Sequence, residues 1–389
     1  VLEQGKRVLL VQDSTGANGY RGTAGQVYEY IGATTGSATD PVGLAGERYL
    51  DSTQWKLISV ASKDIVIDAQ NTSSINSVVG AVAVSASGGL IAAAGSVGVT
   101  LSDNVIGIIE QEAFNPDTLA FETLTFQNQA MSWIENSVVD SAQDFVVTAS
   151  SEETIDSEGY AGSAAIAIGV GAALAGAGVE VNNVFDTVTY AWIDQSDVAA
   201  GGDLTVQATS DSDLVSSSAN GVAISVSLGS LSIAASLVDT EITNDVKAWI
   251  SGDSDDSMYA AGDLLVDASV LNAKIQDVSA TTVGLSIGLI TVTGGGLDIQ
   301  NTIDNTVSSA VSGDLTITAA GDIEVTASEN AYLEADAANV SLAIGLGLAI
   351  GVSLVKNEIL SDISASVAGT LSTALAHVTA VNLTVLAQS

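Results

Sequence analysis

Along most of this chain, apolar residues fall on every second position. Val222, Ile224, Val226 and Leu228 alternate with small residues, and so do Val283, Leu285, Ile287 and Leu289. The same pattern runs from Val340 through Leu342, Ile344, Leu346, Leu348, Ile350, Val352 and Leu354. A period of two sends successive side chains to opposite faces of an extended chain, so these runs predict strands. The distinction matters because residues 161–179 carry no charge, which is about the length of a membrane-spanning helix. The alternation argues against that helix. One straight strand over 340–354 would reach roughly 50 Å, beyond usual strand lengths, so Gly345, Gly347 and Gly351 are expected to mark bends. Between the aliphatics sit Ala, Gly and Ser, which permit close approach of a second layer, from the same unit or from another chain. A membrane barrel would alternate too, but its aromatic girdles are missing.

The alternating runs belong to a repeat. Gly202-Asp203-Leu204-Thr205-Val206-Gln207-Ala208 returns as Gly262-Asp263-Leu264-Leu265-Val266-Asp267-Ala268 and as Gly321-Asp322-Ile323-Glu324-Val325-Thr326-Ala327. Looser copies begin at Lys63, Gln143 and Val381. The second residue of each copy is Asp64, Asp144, Asp203, Asp263, Asp322 or Asn382, giving gaps of 80, 59, 60, 59 and 60 by subtraction. A fixed period of this size is the mark of a stacked repeat architecture. Units therefore start near 62, 142, 201, 261, 320 and 380. Each holds the anchor strand, an acidic Ser-rich stretch, the alternating run, and a strand ending Trp133-Ile134, Trp192-Ile193, Trp249-Ile250 or Ala310-Val311. The long first gap implies an insertion of roughly twenty residues within 105–130, read as a projecting loop or hairpin.

Residues 1–58 differ. They hold Lys6, Arg7, Arg21, Arg48 and Lys56, five of the nine bases, together with Tyr28, Tyr30, Tyr49 and Trp55. Arg7–Val11 and Gln26–Ile31 read as strands of a small β module. Its aromatics are either a sugar-stacking platform or the minimal core of a small domain.

Composition changes the picture in three ways. The chain of 389 residues is 47% hydrophobic but only 4% aromatic, so its core is aliphatic. Its formal net charge of −37 repels nucleic acid and anionic membrane, so neither is expected as a partner, and no membrane insertion is expected. It has no Cys, which removes disulfides and thiolate chemistry. The chain opens on Val1 with no signal peptide, so the expectation is a piece of a longer repeat protein.

No catalytic constellation stands out, and the chain is read as a non-enzyme. The single His377 lies among Ala, Leu and Val, and no phosphate loop or nucleophile elbow occurs. A β-helical polysaccharide-cleaving enzyme is the weakest reading, because beyond residue 60 only Lys63, Lys247, Lys274 and Lys356 are basic. Calcium is the one candidate cofactor. Gly252-Asp253-Ser254-Asp255-Asp256-Ser257 brings Asp253, Asp255 and Asp256 into one turn, although without the full EF-hand or β-roll spacing.

The repeat resembles that of giant bacterial surface proteins of the leukotoxin-like filamentous adhesin kind. The residues that carry this are Val188-Thr189-Tyr190-Ala191-Trp192-Ile193 through the anchor at Gly202–Ala208. The N-terminal module resembles one interspersed in such giants, at Gly25–Gly32, Tyr49-Leu50-Asp51 and Trp55. The resemblance implies an extracellular, cell-surface location and carries no catalytic residues.

The fold expected is all-β: a β-solenoid of parallel-β-helix type, with stacked antiparallel hairpins turning at Gly229-Ser230 as the alternative. At about twenty residues per coil, each unit makes three coils and roughly 14 Å of length, so the body would be a rod of roughly 80 Å. The function expected is a structural or adhesive segment of a surface fibre, associating with itself end to end or laterally, or with surface glycans or other cells. A carbohydrate-binding module is the alternative.

Overall fold

The structure is a computed structural model that describes residues 6–9, 14–16, 19–22, 27–34, 49, 53–59, 64–107, 109–115, 120–126, 128–368 and 377–389. Every described element is a strand. In the N-terminal module, β1 (Arg7–Leu9), β4 (Val27–Tyr30) and β5 (Trp55–Ser59) form an antiparallel sheet. Between β1 and β4, β2 (Ser14–Gly16) and β3 (Gly19–Gly22) pair as a hairpin.

The repeat body is built of layers. The first layer is β6 (Ile65–Ile106), β9 (Asn128–Glu135) and β10 (Val138–Ser141), with the hairpin β7 (Ile109–Asn115) and β8 (Ala120–Phe126) between β6 and β9. The second is β11 (Phe145–Asp194) and β12 (Asp197–Ala200). The third is β13 (Leu204–Val226), β14 (Gly229–Gly252) and β15 (Ser257–Ala260); the fourth is β16 (Leu264–Ile303), β17 (Thr306–Gly313) and β18 (Thr316–Ala319). The fifth is β19 (Ile323–Ile359), β20 (Asp362–Ala368) and β21 (His377–Thr379), and β22 (Leu383–Gln388) begins a sixth.

Each layer pairs in parallel with the next, one repeat away. Ile65 sits beside Phe145, Phe145 beside Leu204, Leu204 beside Leu264, Leu264 beside Ile323, and Ile323 beside Leu383. One repeat is therefore one layer, which corrects the expectation of three coils per unit and of a rod near 80 Å. A layer runs out along one arm, reverses at an apex, returns along a second arm, and closes through a short corner strand. The corner strands stack as their own parallel sheet, β10-β12-β15-β18-β21. Because β11 and β16 each contribute both arms, β11, β13, β16 and β14 close a ring of parallel pairings. The antiparallel-hairpin alternative fails on the same pairings. The chain does reverse at Ser227–Leu228, but β13 and β14 form no ladder with each other. Their arms face each other through side chains.

The register accounts for the long first gap. Phe185 pairs with Ile106 and Thr187 with Asn128, so residues 107–127 stand where the second layer has Asp186 alone. The hairpin β7–β8 occupies that bulge. At the apex, Gly169 and Gly345 have φ of 130° and 140°, and a Cβ on either would lie 1.9 Å from a carbonyl of the preceding layer. Only glycine fits there. Gly345, Gly347 and Gly351, where bends are expected in the last run, all lie within β19, and of the three Gly345 alone has the positive φ of the apex.

The anchor motif is explained by one contact repeated at the corner. The Asp144 carboxylate accepts the Asp203 backbone N–H at 3.0 Å, Asp203 accepts that of Asp263 at 2.9 Å, Asp263 that of Asp322 at 2.8 Å, and Asp322 that of Asn382 at 3.1 Å. Each carboxylate lies over the residue before the next Asp. A Cβ on Gly202, Gly262 or Gly321 would stand 2.1, 2.0 or 2.0 Å from that carboxylate oxygen. In these three layers the Gly-Asp pair is thus a stacking device: Asp reaches up, and Gly makes room for the Asp below; at the last corner Val381 takes the glycine's place and the bond to Asn382 is still made.

In the half of each arm nearest the anchor, Phe145, Val147, Leu204, Val206, Leu264 and Val266 point inward and are fully buried. Toward the apex the polarity inverts. Ala161, Ser163, Ala165 and Ala167 are buried, while Ile166, Ile168, Val170 and Leu174 face outward. The small residues are the inner face, and each unit covers them itself. The two arms approach so closely that a Cβ on Gly159 would lie 2.6 Å from Val179 Cγ1, and one on Gly284 2.7 Å from Thr293 Cγ2.

Replacing Gly262 by Ala is expected to destabilise the fold by more than about 2 kcal/mol, because backbone faces a charged oxygen at contact. In the background of D203A only the Gly202 carbonyl carbon, at 3.3 Å, still crowds the added Cβ, so the same change should cost about 1 kcal/mol or less. Chemical denaturation of the four variants in this cycle measures the difference.

Candidate functional site

The four aromatic residues read as a sugar platform are brought together, but as a core. Tyr28, Tyr30, Tyr49 and Trp55 are each no more than 3% exposed. Tyr49 packs on Trp55 with ring centroids 4.7 Å apart, Tyr30 meets Trp55 edge-on at 5.1 Å, and Tyr28 meets Tyr49 at 5.3 Å. The Tyr30 hydroxyl donates to the Ala33 carbonyl at 2.8 Å. Sugar stacking needs an open ring face, and these faces are spent on one another, so the platform is not formed.

The acidic turn closes on itself. Asp256 Oδ2 accepts the Asp253 N–H at 2.8 Å, and Asp253 Oδ1 accepts the Asp255 N–H at 3.3 Å. These carboxylates satisfy their own loop rather than converging on one point. Among the described residues no group of three or more His, Asp or Glu is arranged to hold a metal ion. The calcium site expected at Asp253, Asp255 and Asp256 is therefore not assembled. His377 opens β21, where its backbone pairs with Thr316; its side chain lies outside the described residues.

What the sequence reading missed is a column of polar side chains inside the body. On the returning arm, Asn128, Thr187, Asn244, Asn305 and Ser361 occupy one register position in successive layers. Facing them across the core are Ser151, Glu153, Ser210, Ser212 and Glu329. Asn128 Nδ2 donates to Glu153 Oε1 at 3.2 Å, and Glu153 Oε2 lies 3.3 Å from the Ser212 hydroxyl oxygen, whose one hydrogen is shared between it and Asn244. Asn244 Oδ1 accepts from Ser210 at 3.2 Å and from Ser212 at 3.0 Å, and Thr187 also donates to it. Asn305 Oδ1 accepts the Asn244 N–H at 2.9 Å, and its Nδ2 donates to Glu329 Oε1 at 2.6 Å, where Ser361 also donates at 2.9 Å. The column threads the stack from layer to layer. It ends at a cleft of about 610 Å³ lined by Glu329, Ser361, Asp362 and Gln388, among others.

Glu153 is the exceptional member. Its side chain is 0% exposed, and burial pushes its carboxyl up to about 7, against the pull of Ser212 and Asn128. Among the described residues no cationic side chain stands beside it to hold the charged form. A carboxyl shut off from solvent cannot meet a diffusing substrate, so its role is to tie layers together. The signal that could have found it is parity. Residue 153 shares the odd positions of Phe145, Val147 and Ile155, and an acid on the core face of a strand demands partners.

Two further features lie at the surface. Trp133, Trp192 and Trp249 stack on the outer face of the returning arms, 5.0 and 4.8 Å apart and within 7° of parallel. A second cleft, of about 550 Å³, lies over the corner sheet and is lined by Arg7, Asp140, Asp197, Asp255 and Tyr259, among others. There Arg7 reaches Asp140 at 3.4 Å. Burial pushes the Asp140 carboxyl up, opposed by the Arg7 charge. Comparison with family models, curated proteins and solved structures gives no match.

Because the folded-state carboxyl of Glu153 is raised, its favourable contribution is complete below the ordinary value of 4.5 and is lost as pH rises through about 7. Above that range, folding bears the cost of a buried charge. Glu153→Gln should therefore match the parent chain at pH 4 and exceed its stability at pH 8 by up to about 3 kcal/mol. Denaturant unfolding of both chains at the two pH values checks this.

Proposed function

We propose that the chain is a β-solenoid segment of an extracellular bacterial surface fibre or giant adhesin, with one repeat to each coil. The observation that carries this reading is that every layer meets the next through the same in-register parallel ladder, one repeat away. The parallel ladder recurs with each repeat and the corner Asp-to-N–H bond joins the second layer through to the sixth, while the tryptophan stack ties the first three layers. Contacts of that kind are open-ended, because a layer offers its upper neighbour what its lower neighbour offers it. The net charge of −37 keeps a large apolar β body in solution, in keeping with a secreted or cell-surface location. The likeness of Val188–Ile193 and Gly202–Ala208 to filamentous-adhesin repeats points the same way.

The geometry bears on what such a segment is for. A layer of about 60 residues adds only roughly 4.8 Å along the stack, while an arm of about 23 residues extends roughly 75 Å. That is a poor way to gain reach and a good way to present broad faces. The reading is accordingly of a plate that works by association with copies of itself or with other surfaces. Catalysis has no place in it.

Negative-stain electron microscopy of the 389-residue chain tests this. The expected result is association into filaments or lateral arrays with a width set by the arms, about 75 Å, unchanged by chelator. Single particles at every concentration, combined with no binding to bacterial or host cell surfaces, would contradict it.

A further inference from the structure

The tryptophan stack on the returning arms ends in a step. Trp133, Trp192 and Trp249 share one outward row, but the register puts Ala310 next in that row and Ser366 after it. One face of the Trp249 indole is spent on Trp192, 4.8 Å away and 3° from parallel. The other looks over a residue no larger than alanine. The floor in front of it carries hydroxyls. Ser308 and Ser312 flank Ala310 on the same outward face. Ser364 lies beside Ser308 in the next layer and donates to its oxygen at 3.2 Å. Ser364 and Ser366 are exposed, and Ser308, Ala310 and Ser312 are half-buried. The indole that forms the wall is braced. Tyr190 meets Trp249 edge-on at 5.8 Å, and Lys247 Nζ donates to the Tyr190 hydroxyl at 3.2 Å and to Asp245 at 2.8 Å. A ring held in place before a ligand arrives spares the ligand the cost of ordering it.

An indole face set at right angles to a hydroxyl floor suits an occupant that is apolar on its face and rimmed with hydrogen-bonding groups. A pyranose has that form: C–H bonds on the ring face and hydroxyls around the edge. The step is one layer, roughly 4.8 Å, about the thickness of a sugar ring. The charge around it selects a neutral sugar. Among the described residues the cation beside the step is Lys247, and Asp245 already holds it. The net charge of −37 repels a uronic or sialic acid. A further aromatic side chain would also cover Trp249, but it would take the floor hydroxyls from water and offer them no partner. We propose that the step at Trp249 binds a neutral pyranose of a glycan chain, stacked on the open indole face with its rim hydroxyls on Ser308 and Ser364. The site is separate from the aromatic set of the N-terminal module, whose rings close on one another. It goes beyond the fibre reading, which names no ligand, and does not depend on it.

Titration calorimetry and tryptophan fluorescence of the full chain test it, with cellopentaose and chitopentaose as probes. Two variants locate the binding. Ala310→Trp adds a fourth ring to the ladder and fills the step. Ser308→Ala with Ser364→Ala removes two floor hydroxyls and leaves the indole face open. The parent chain should bind at least one probe with half-saturation below about 1 mM. Ala310→Trp should weaken that binding by about tenfold or more, and the double alanine variant by about threefold or more, with the melting of the latter unchanged. No binding of either probe up to about 10 mM would overturn the proposal, as would binding that Ala310→Trp leaves intact. So would a chain that ignores both sugars but binds a peptide spanning Thr189–Asp194 and loses it on Ala310→Trp, since the step would then belong to an aromatic side chain. Micrographs of the same samples keep the two readings apart. Filaments without sugar binding would leave the fibre standing and remove this site, whereas sugar binding without filaments or attachment to cells would do the reverse.

Discussion

The bond from one corner Asp to the backbone N–H of the next sets the geometry of the whole body. It fixes the register of each layer on its neighbour at the point where the chain enters a new arm. A parallel ladder can slip in steps of two residues with little change in backbone bonding, so something must pin it. Here a charged acceptor does so at each corner from Asp144 to Asn382, over a glycine at Gly202, Gly262 and Gly321 and over Val381 at the last. The arms then inherit their alignment over some twenty residues in each direction.

Once the register is pinned, stacking imposes its own rules on composition. Residues one repeat apart stand side by side, so like charges would face each other at close range. Some acids do stand beside acids, as at the Asp144, Asp203, Asp263 and Asp322 corner, where each carboxylate is turned onto a backbone N–H, but elsewhere an amide is set against the acid. Asn182 donates to Asp103 at 2.9 Å, and Asn272 to Asp211 at 3.2 Å. Where identical residues do stack, they are ones that gain by it, such as the tryptophans at Trp133, Trp192 and Trp249. The interior polar column belongs to the same economy of contacts. Asn128, Asn244 and Asn305 lock layers together by hydrogen bonds that a purely aliphatic core would not specify, at the expense of a buried carboxyl at Glu153.

Much of this was legible in the sequence. Strand identity followed from the period of two, and layering from the Asp64-to-Asn382 spacing. What the period could not supply was how many turns of chain make one repeat. The tryptophan spacing of 59 and 57 is in step with the anchors, but it is the parallel register, with the ring stack beside it, that shows one repeat to be one layer. The inverted apex was hidden for a related reason. Alternation says that Ile224 and Ala223 lie on opposite faces, not which face is inside; the closeness of the arms puts Ala223 in and Ile224 out. The aromatic set at Tyr28, Tyr30, Tyr49 and Trp55 was visible as a cluster, yet burial rather than residue type decides between a core and a platform. Glu153 is hidden because it stands in an acidic stretch whose even positions, from Glu152 to Glu158, reach solvent.

The claim on which everything depends is that residues one repeat apart are direct neighbours. The chain has no native cysteine, so nitroxide labels can be placed cleanly at Asp68 and Thr326, outward positions four layers apart in register. Double electron–electron resonance should give a label separation near the backbone spacing of roughly 19 Å. A separation near 58 Å, roughly what three coils per repeat would produce, would contradict the account.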